Sequence, residues 1–150
     1  MSKFKKILVP VDGSDTARTA LVTALQMARD AGGSVRLIHC VDELAYLSGY
    51  EYSSVHMSRV REDAARVLSD ALEICKSAGV DADTQLVDFP GQRLGETMAE
   101  EARKWQADLI VVGTHGRRGI GRVLLGSGAE QIIRLSPVPV LTIRGQDKNK

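Results

Sequence analysis

The stretch DLIVVG (108–113) runs without a break into THGRRGIGRVLLGS (114–127). Its apolar run LIVV, 109–112, is the pattern of a strand buried on both faces of a parallel sheet. The adjoining segment 113–127 is rich in glycine and carries Arg117, Arg118 and Arg122. Downstream, a short helix is predicted from about Ser127 to Leu135, and PVPVLTI (137–143) reads as a closing fifth strand. Upstream, Leu94, Met98, Ala102 and Trp105 recur at helical spacing, and DTQLVDF (83–89) alternates as an edge strand does. Before it, Val60, Ala64, Val67, Leu68, Ala71, Leu72 and Cys75 form a stripe that stops at Gly79, and VRLIHCV (35–41) is the second strand. The first helix carries Ala17, Ala20, Leu21, Ala24, Leu25 and Ala28, with Ser14 or Asp15 as N-cap and Gly32-Gly33 as the stop. KILVPV (6–11) opens the fold as the first strand.

Strands and helices alternating in this way predict an α/β fold, a parallel five-stranded sheet with helices on both faces. A single domain is expected over 1–145, with a polar tail at 146–150. The segment LAYLSGYEYSSVHM (44–57) fits neither period and is read as a loop or short helical excursion. A length of 150 residues, 43% hydrophobic and 26% charged, suits one globular domain. Twenty basic against 19 acidic residues, a net charge of +1, argue against a nucleic-acid coat. Cys40 and Cys75 match no CxxC or zinc spacing and read as buried thiols in a reducing cytoplasm. The apolar run after Lys5 and Lys6 is too short for a signal peptide, and no stretch is long enough for a membrane span.

Open parallel sheets bind ligands beyond the carboxyl ends of their strands, where neighbouring crossovers diverge to opposite faces. Glycines let main-chain amides approach a ligand, a helix starting near Ser127 adds N–H groups, and the arginines add charge. Together these suit a phosphate chain; the alternative is a flexible turn. The best-known phosphate fingerprints fail. Gly116 to Gly121 continues as Arg122-Val123, which is no P-loop. A GxGxxG beginning at Gly119 or Gly126 meets Leu124 or Gln131 at its third glycine. No GxSxG elbow is present.

The spacing Gly113-x2-Gly116-x9-Gly126-Ser127 resembles the nucleotide-binding motif of the universal stress protein family. The resemblance extends to ILVPVDGS, HCVD, ADLIVVGTHG, LLGS and PVPVLTIR, and so to nearly the whole chain. It implies a Rossmann-like sheet in the order 3-2-1-4-5 and binding of ATP, ADP or AMP; magnesium carried in with such a nucleotide is the metal expected in preference to a histidine site. It also implies a homodimer through the 138–144 strand. By the resemblance, Pro10, Val11 and Asp12 line the adenosine side, and Val41 offers main-chain groups to the adenine edge. Gly113, His115, Gly116 and Arg117 lie along ribose and phosphates, and Gly126, Ser127 and Gly128 close around the phosphates. Gly128 stands where a bulkier residue is common.

Several residues keep two readings. Asp12 contacts ribose or a metal, or forms an Asx-turn. Ser127 bonds a phosphate or caps the last helix. His115 is a loop anchor or a polar neighbour of the phosphates, and His39 reads as a satisfied core histidine. His56 reads as exposed, and Tyr46, Tyr50 and Tyr52 flank the base or lie on the surface. A three-histidine metal site lacks supporting ligand spacing. The preferred function is a cytoplasmic, nucleotide-dependent stress-response switch or regulator with an unknown protein partner, and without membrane insertion or nucleic acid. The competing readings are a slow ATP hydrolase or phosphoryl or adenylyl transferase, and an interaction protein without ligand.

Overall fold

The computed structural model describes residues 4–41, 54–88, 93–114 and 125–145. Strands β1 (Lys6–Pro10), β2 (Ser34–Cys40), β3 (Asp81–Val87), β4 (Leu109–Gly113) and β5 (Val140–Ile143) alternate with helices among these residues. The helices are α1 (Asp15–Ala31), α2 (Ser54–Ala78), α3 (Leu94–Trp105) and α4 (Ser127–Leu135). All strand pairings are parallel and the order is β3-β2-β1-β4-β5, as expected.

The central strands are apolar because both their faces are covered. Ile7, Val9, Leu109 and Val111 join α1 and α2 in one core, while Leu8, Ile110 and Val112 join α3 and α4 in the other. α1 buries the stripe read from its sequence. Ser14 is its N-cap, with Oγ accepting from Ala17 N at 3.2 Å, and Gly32 ends it in the left-handed region at φ 66°. β3 and β5 form the sheet edges. β5 is shorter than PVPVLTI suggests, because Pro139 has no N–H to give and enters the ladder only by its carbonyl, which accepts Ile110 N at 3.0 Å.

One boundary departs from expectation. Residues 54–57, read as part of a loop, belong to α2. No glycine or proline lies between Glu51 and Ala78, so the helix runs upstream of its recognisable apolar stripe. Residues 42–53, with the three tyrosines, and the tail 146–150 lie outside the described residues, as does the His56 side chain.

At the amino ends of the strands, Asp108 Oδ2 accepts the main-chain N–H groups of Lys5 and Lys6 at 3.0 and 2.9 Å, fixing β1 beside β4. There too, Arg36 makes a two-pronged pair with Asp83 at 2.8 and 2.9 Å and reaches Glu101 at 2.8 Å. Its guanidinium lies 4.8 Å from the centre of the Trp105 ring, and Lys6 Nζ lies 5.3 Å from it.

Cys40 and Cys75 are both free. Cys75 is 0% exposed, and burial pushes its thiol from an ordinary 9.0 up to about 11. Well below pH 9.0 the thiol is protonated in both states and contributes no pH dependence. Between 9.0 and about 11 the unfolded chain sheds the proton that the folded one retains, so stability falls as pH rises. Urea midpoints taken at about pH 8 and about pH 10.5 are expected to drop less for Cys75→Ala than for the wild type.

Candidate functional site

β1 and β4 are neighbours, pairing Ile7 with Leu109 and Leu8 with Ile110. From their carboxyl ends the chain departs to opposite faces, β1 into α1 and β4 toward α4. A crevice at this divergence is where an open parallel sheet receives its ligand.

Pro10 closes β1, and Val11 N donates to Ile38 O at 2.8 Å. The Val11 carbonyl is held by His39, whose ring donates Nδ1–H at 2.8 Å, so this half-buried histidine is satisfied as expected. Asp12 Oδ1 accepts Ser14 N at 2.9 Å, which realises the Asx-turn and presents Ser14 as the α1 cap. Gly13, at φ 85°, makes the turn that no side-chain-bearing residue adopts easily. Val41 lies just past β2, where its N–H donates to Val87 O at 3.0 Å. Its N–H is therefore already used within the protein.

On the β4 side, Gly113 is glycine for a packing reason that the sequence hides. A Cβ there would come within 2.5 Å of Thr16 Cγ2 and 3.1 Å of Thr16 O in the first turn of α1. Thr114 is next in the chain, donating to Ile143 O at 2.9 Å and accepting Gly126 N at 2.6 Å. Gly126, not Ser127, is the N-cap of α4, and no side chain caps that helix. Ser127 is its first helical residue and is exposed. The α4 N–H groups of Ser127, Gly128 and Ala129 thus begin a helix whose N-cap residue has no side chain to lay across them. Gly128 packs beneath Leu94, whose Cδ2 lies 3.0 Å from where a Cβ would stand, so a bulkier residue there would press on α3.

The structure therefore brings Pro10, Val11 and Asp12 to one wall of the divergence and Gly113, Gly126, Ser127 and Gly128 to the other. Val41 stands at the end of the adjoining strand. His115, Gly116 and Arg117, like Arg118 and Arg122, lie outside the described residues. Thr16, which fits against Gly113, and Thr114, which links β5 to the α4 cap, were not singled out by sequence. Neither residue type nor spacing signals such a contact.

A cavity of about 370 Å³ opens between α1 and α2, lined by Ala17, Leu21, Val67 and Ala71 and rimmed by Arg18 and Arg66. It also borders the β1–α1 turn at Val11, Asp12, Gly13 and Ser14, and its lining includes none of Gly113, Gly126, Ser127 and Gly128. Among the described residues no three His, Cys, Asp or Glu side chains are grouped to hold a metal. Nor is any helix among them long and apolar enough to cross a membrane.

The sheet order, with helices on both faces and a helix N-terminus at the switch point, defines a Rossmann-like, doubly wound α/β protein. The family model described as the universal stress protein family matches residues 3–144, and the chain belongs to that family. A universal stress protein of Methanocaldococcus jannaschii is 32% identical over 148 residues, which is 97% of this chain and 85% of the relative. The solved universal stress protein of Archaeoglobus fulgidus in complex with dAMP superimposes with a TM-score of 0.71 at 25% identity, covering 94% of this chain and 98% of that one. A universal stress protein in complex with cAMP gives a TM-score of 0.68 at 25% identity, covering 95% and 98%.

Proposed function

We propose that the chain binds an adenine nucleotide at the β1–β4 divergence and acts as a nucleotide-dependent regulator in the stress response. The observation that carries this is the α4 N-terminus, whose N-cap is a glycine and whose N–H groups meet no capping side chain among the described residues. Such a terminus favours a phosphate through its amides and its partial positive charge. Relatives that are crystallised with dAMP and cAMP support adenine as the base. In this reading Pro10, Val11 and Asp12 flank the adenosine, the Val41 carbonyl accepts from the adenine amino group, and Gly113, His115, Gly116 and Arg117 follow the ribose and phosphates. Gly126, Ser127 and Gly128 take the phosphates. Magnesium enters with ATP, held by phosphate and water.

The reading is one of binding and not of turnover. Asp12 is the carboxylate at the β1 wall, and its Oδ1 is engaged by Ser14 N. Free cysteines accord with the cytoplasm. A homodimer through 138–144 is supported by β5 lying at the sheet edge and by Ile133 and Leu135, which are 45% and 42% exposed on α4.

Titration calorimetry with ATP, AMP and cyclic AMP tests the proposal. At least one is expected to bind and to raise the melting temperature. Absence of both effects at millimolar nucleotide overturns the reading in favour of a ligand-free interaction protein. Steady-state phosphate release at about 1–10 per second, the ordinary enzymatic range, would replace it with a hydrolase.

A further inference from the structure

β1 and β4 are in register only at Ile7 with Leu109 and Leu8 with Ile110. Beyond these, β1 stays with β2, pairing Val9 with Leu37 and Pro10 with Ile38. β4 stays with β5, pairing Val111 with Leu141, Val112 with Thr142 and Gly113 with Ile143. Among the described residues the sheet is thus split at its carboxyl end, and no β1–β4 pairing sets the separation of the two walls there.

Thr16 lies across this split. Through α1 it belongs to the β1 wall, where Asp12 Oδ1 accepts Ser14 N at 2.9 Å and Ser14 Oγ accepts Ala17 N at 3.2 Å. Its two side-chain branches meet the other wall. A Cβ on Gly113 would lie 2.5 Å from Thr16 Cγ2, and a Cβ on Gly145, just past β5, would lie 2.5 Å from Thr16 Oγ1. Neither glycine has a positive φ, so the backbone accepts other residues at both places, and what a Cβ would remove is the room for Thr16. A β-branched side chain in a helix has few χ1 states open to it and so makes a stiff spacer. The β4 wall carries the α4 terminus with it, because Thr114, next after Gly113, accepts the N-cap amide of Gly126 at 2.6 Å.

We infer that Thr16 is a positioning residue that sets the distance between the β1 wall and the β4–α4 wall, and with it the span one nucleotide must bridge. This rests on the nucleotide reading above and adds to it the side chain that fixes the width of the crevice. It also ties the crevice to the sheet edge, since β4 abuts the methyl branch and the segment after β5 abuts the hydroxyl branch.

Thr16→Ala, Gly145→Ala and the double variant, titrated with ATP beside the wild type, test the spacing. Thr16→Ala removes both branches and keeps a good helix former, so the chain is expected to fold and to bind ATP about 10-fold more weakly, as when one molecule in about ten holds the competent spacing. Gly145→Ala, which alters no residue of the proposed nucleotide site, is expected to weaken ATP about as much by displacing the Thr16 hydroxyl. Its Cβ would otherwise stand 3.5 Å from Thr16 Cβ, an ordinary contact, so the double variant is expected to bind no more weakly than Thr16→Ala alone. Wild-type ATP affinity in Thr16→Ala overturns the positioning role and leaves the nucleotide reading intact. Losses that add in the double variant overturn it too, since Gly145 then acts by another route. A loss that disappears on titration at a lower temperature reflects partial unfolding, not spacing, and likewise overturns it. A wild-type chain that takes up no ATP removes the nucleotide reading and this role together.

Discussion

Replacing Gly126 by valine is expected to abolish nucleotide binding while the chain stays folded. Gly126 lies at φ −66° and ψ 159°, extended backbone that a β-branched residue adopts readily. Glycine is therefore not required there by the turn. Valine is a poorer N-cap than glycine, a loss of about 1 kcal/mol, which corresponds to roughly 2–4 °C in a domain of this size. For a bound phosphate the change is far larger. An isopropyl group at the cap stands over the N–H groups of Ser127, Gly128 and Ala129, where the native cap, a glycine, has no side chain. Affinity for ATP by calorimetry is expected to fall at least about 100-fold, the equivalent of losing two or more charge-assisted bonds. A Gly126→Val protein that binds ATP at wild-type strength would show that the helix terminus is not the anion site.

Gly95→Ala is expected to give the largest loss of stability among these substitutions, with binding weakened as a consequence. Gly95 is where α3 meets α4, and its own N–H donates to Gln131 Oε1 at 3.1 Å. A Cβ on Gly95 would lie 2.5 Å from Gln131 Cβ, 2.8 Å from its carbonyl carbon and 2.9 Å from its carbonyl oxygen. Two of those three atoms are helix backbone, so no rotamer change clears the space. The helices must separate, at a cost of about 3 kcal/mol, the upper range for overpacking. For a domain of this length that corresponds to roughly 6–12 °C in melting temperature. α4 carries the proposed anion site on its first turn, so its displacement also moves that terminus away from β4. Thermal denaturation followed by circular dichroism measures the first effect, and calorimetry at a temperature where the variant is folded measures the second. A melting temperature within about 2 °C of the wild type would mean that the two helices separate easily.

Local features of the sequence proved sufficient for the elements, while their order in the sheet came from the family resemblance. LIVV at 109–112 and ILV at 7–9 are apolar at every position because both faces of the central strands are buried, a constraint written into consecutive residues. Ser14 and Gly32 bound α1 through bonds to residues within one turn, so its ends are legible as well. The start of α2 was not, because helix formation upstream of Val60 is marked only by an absence of breakers. The site divides in the same way. Its location follows from strand order and a glycine pattern, but its details depend on partners distant in the chain. Val41 gives its N–H to Val87, Gly113 is glycine on account of Thr16, and Thr114 is clasped between Ile143 and Gly126. None of these pairs is encoded by a local period.

Trp105 is the chain's sole tryptophan, and it sits between Lys6 and Arg36 where the strands begin. β1 spans five residues, so its far end lies about 15 Å away at ~3.3 Å per residue. The indole is thus a built-in optical probe of the pole remote from the crevice. Its emission should follow denaturation of the whole sheet faithfully and stay silent while the crevice fills, which makes fluorescence a clean monitor of unfolding and a poor one of occupancy.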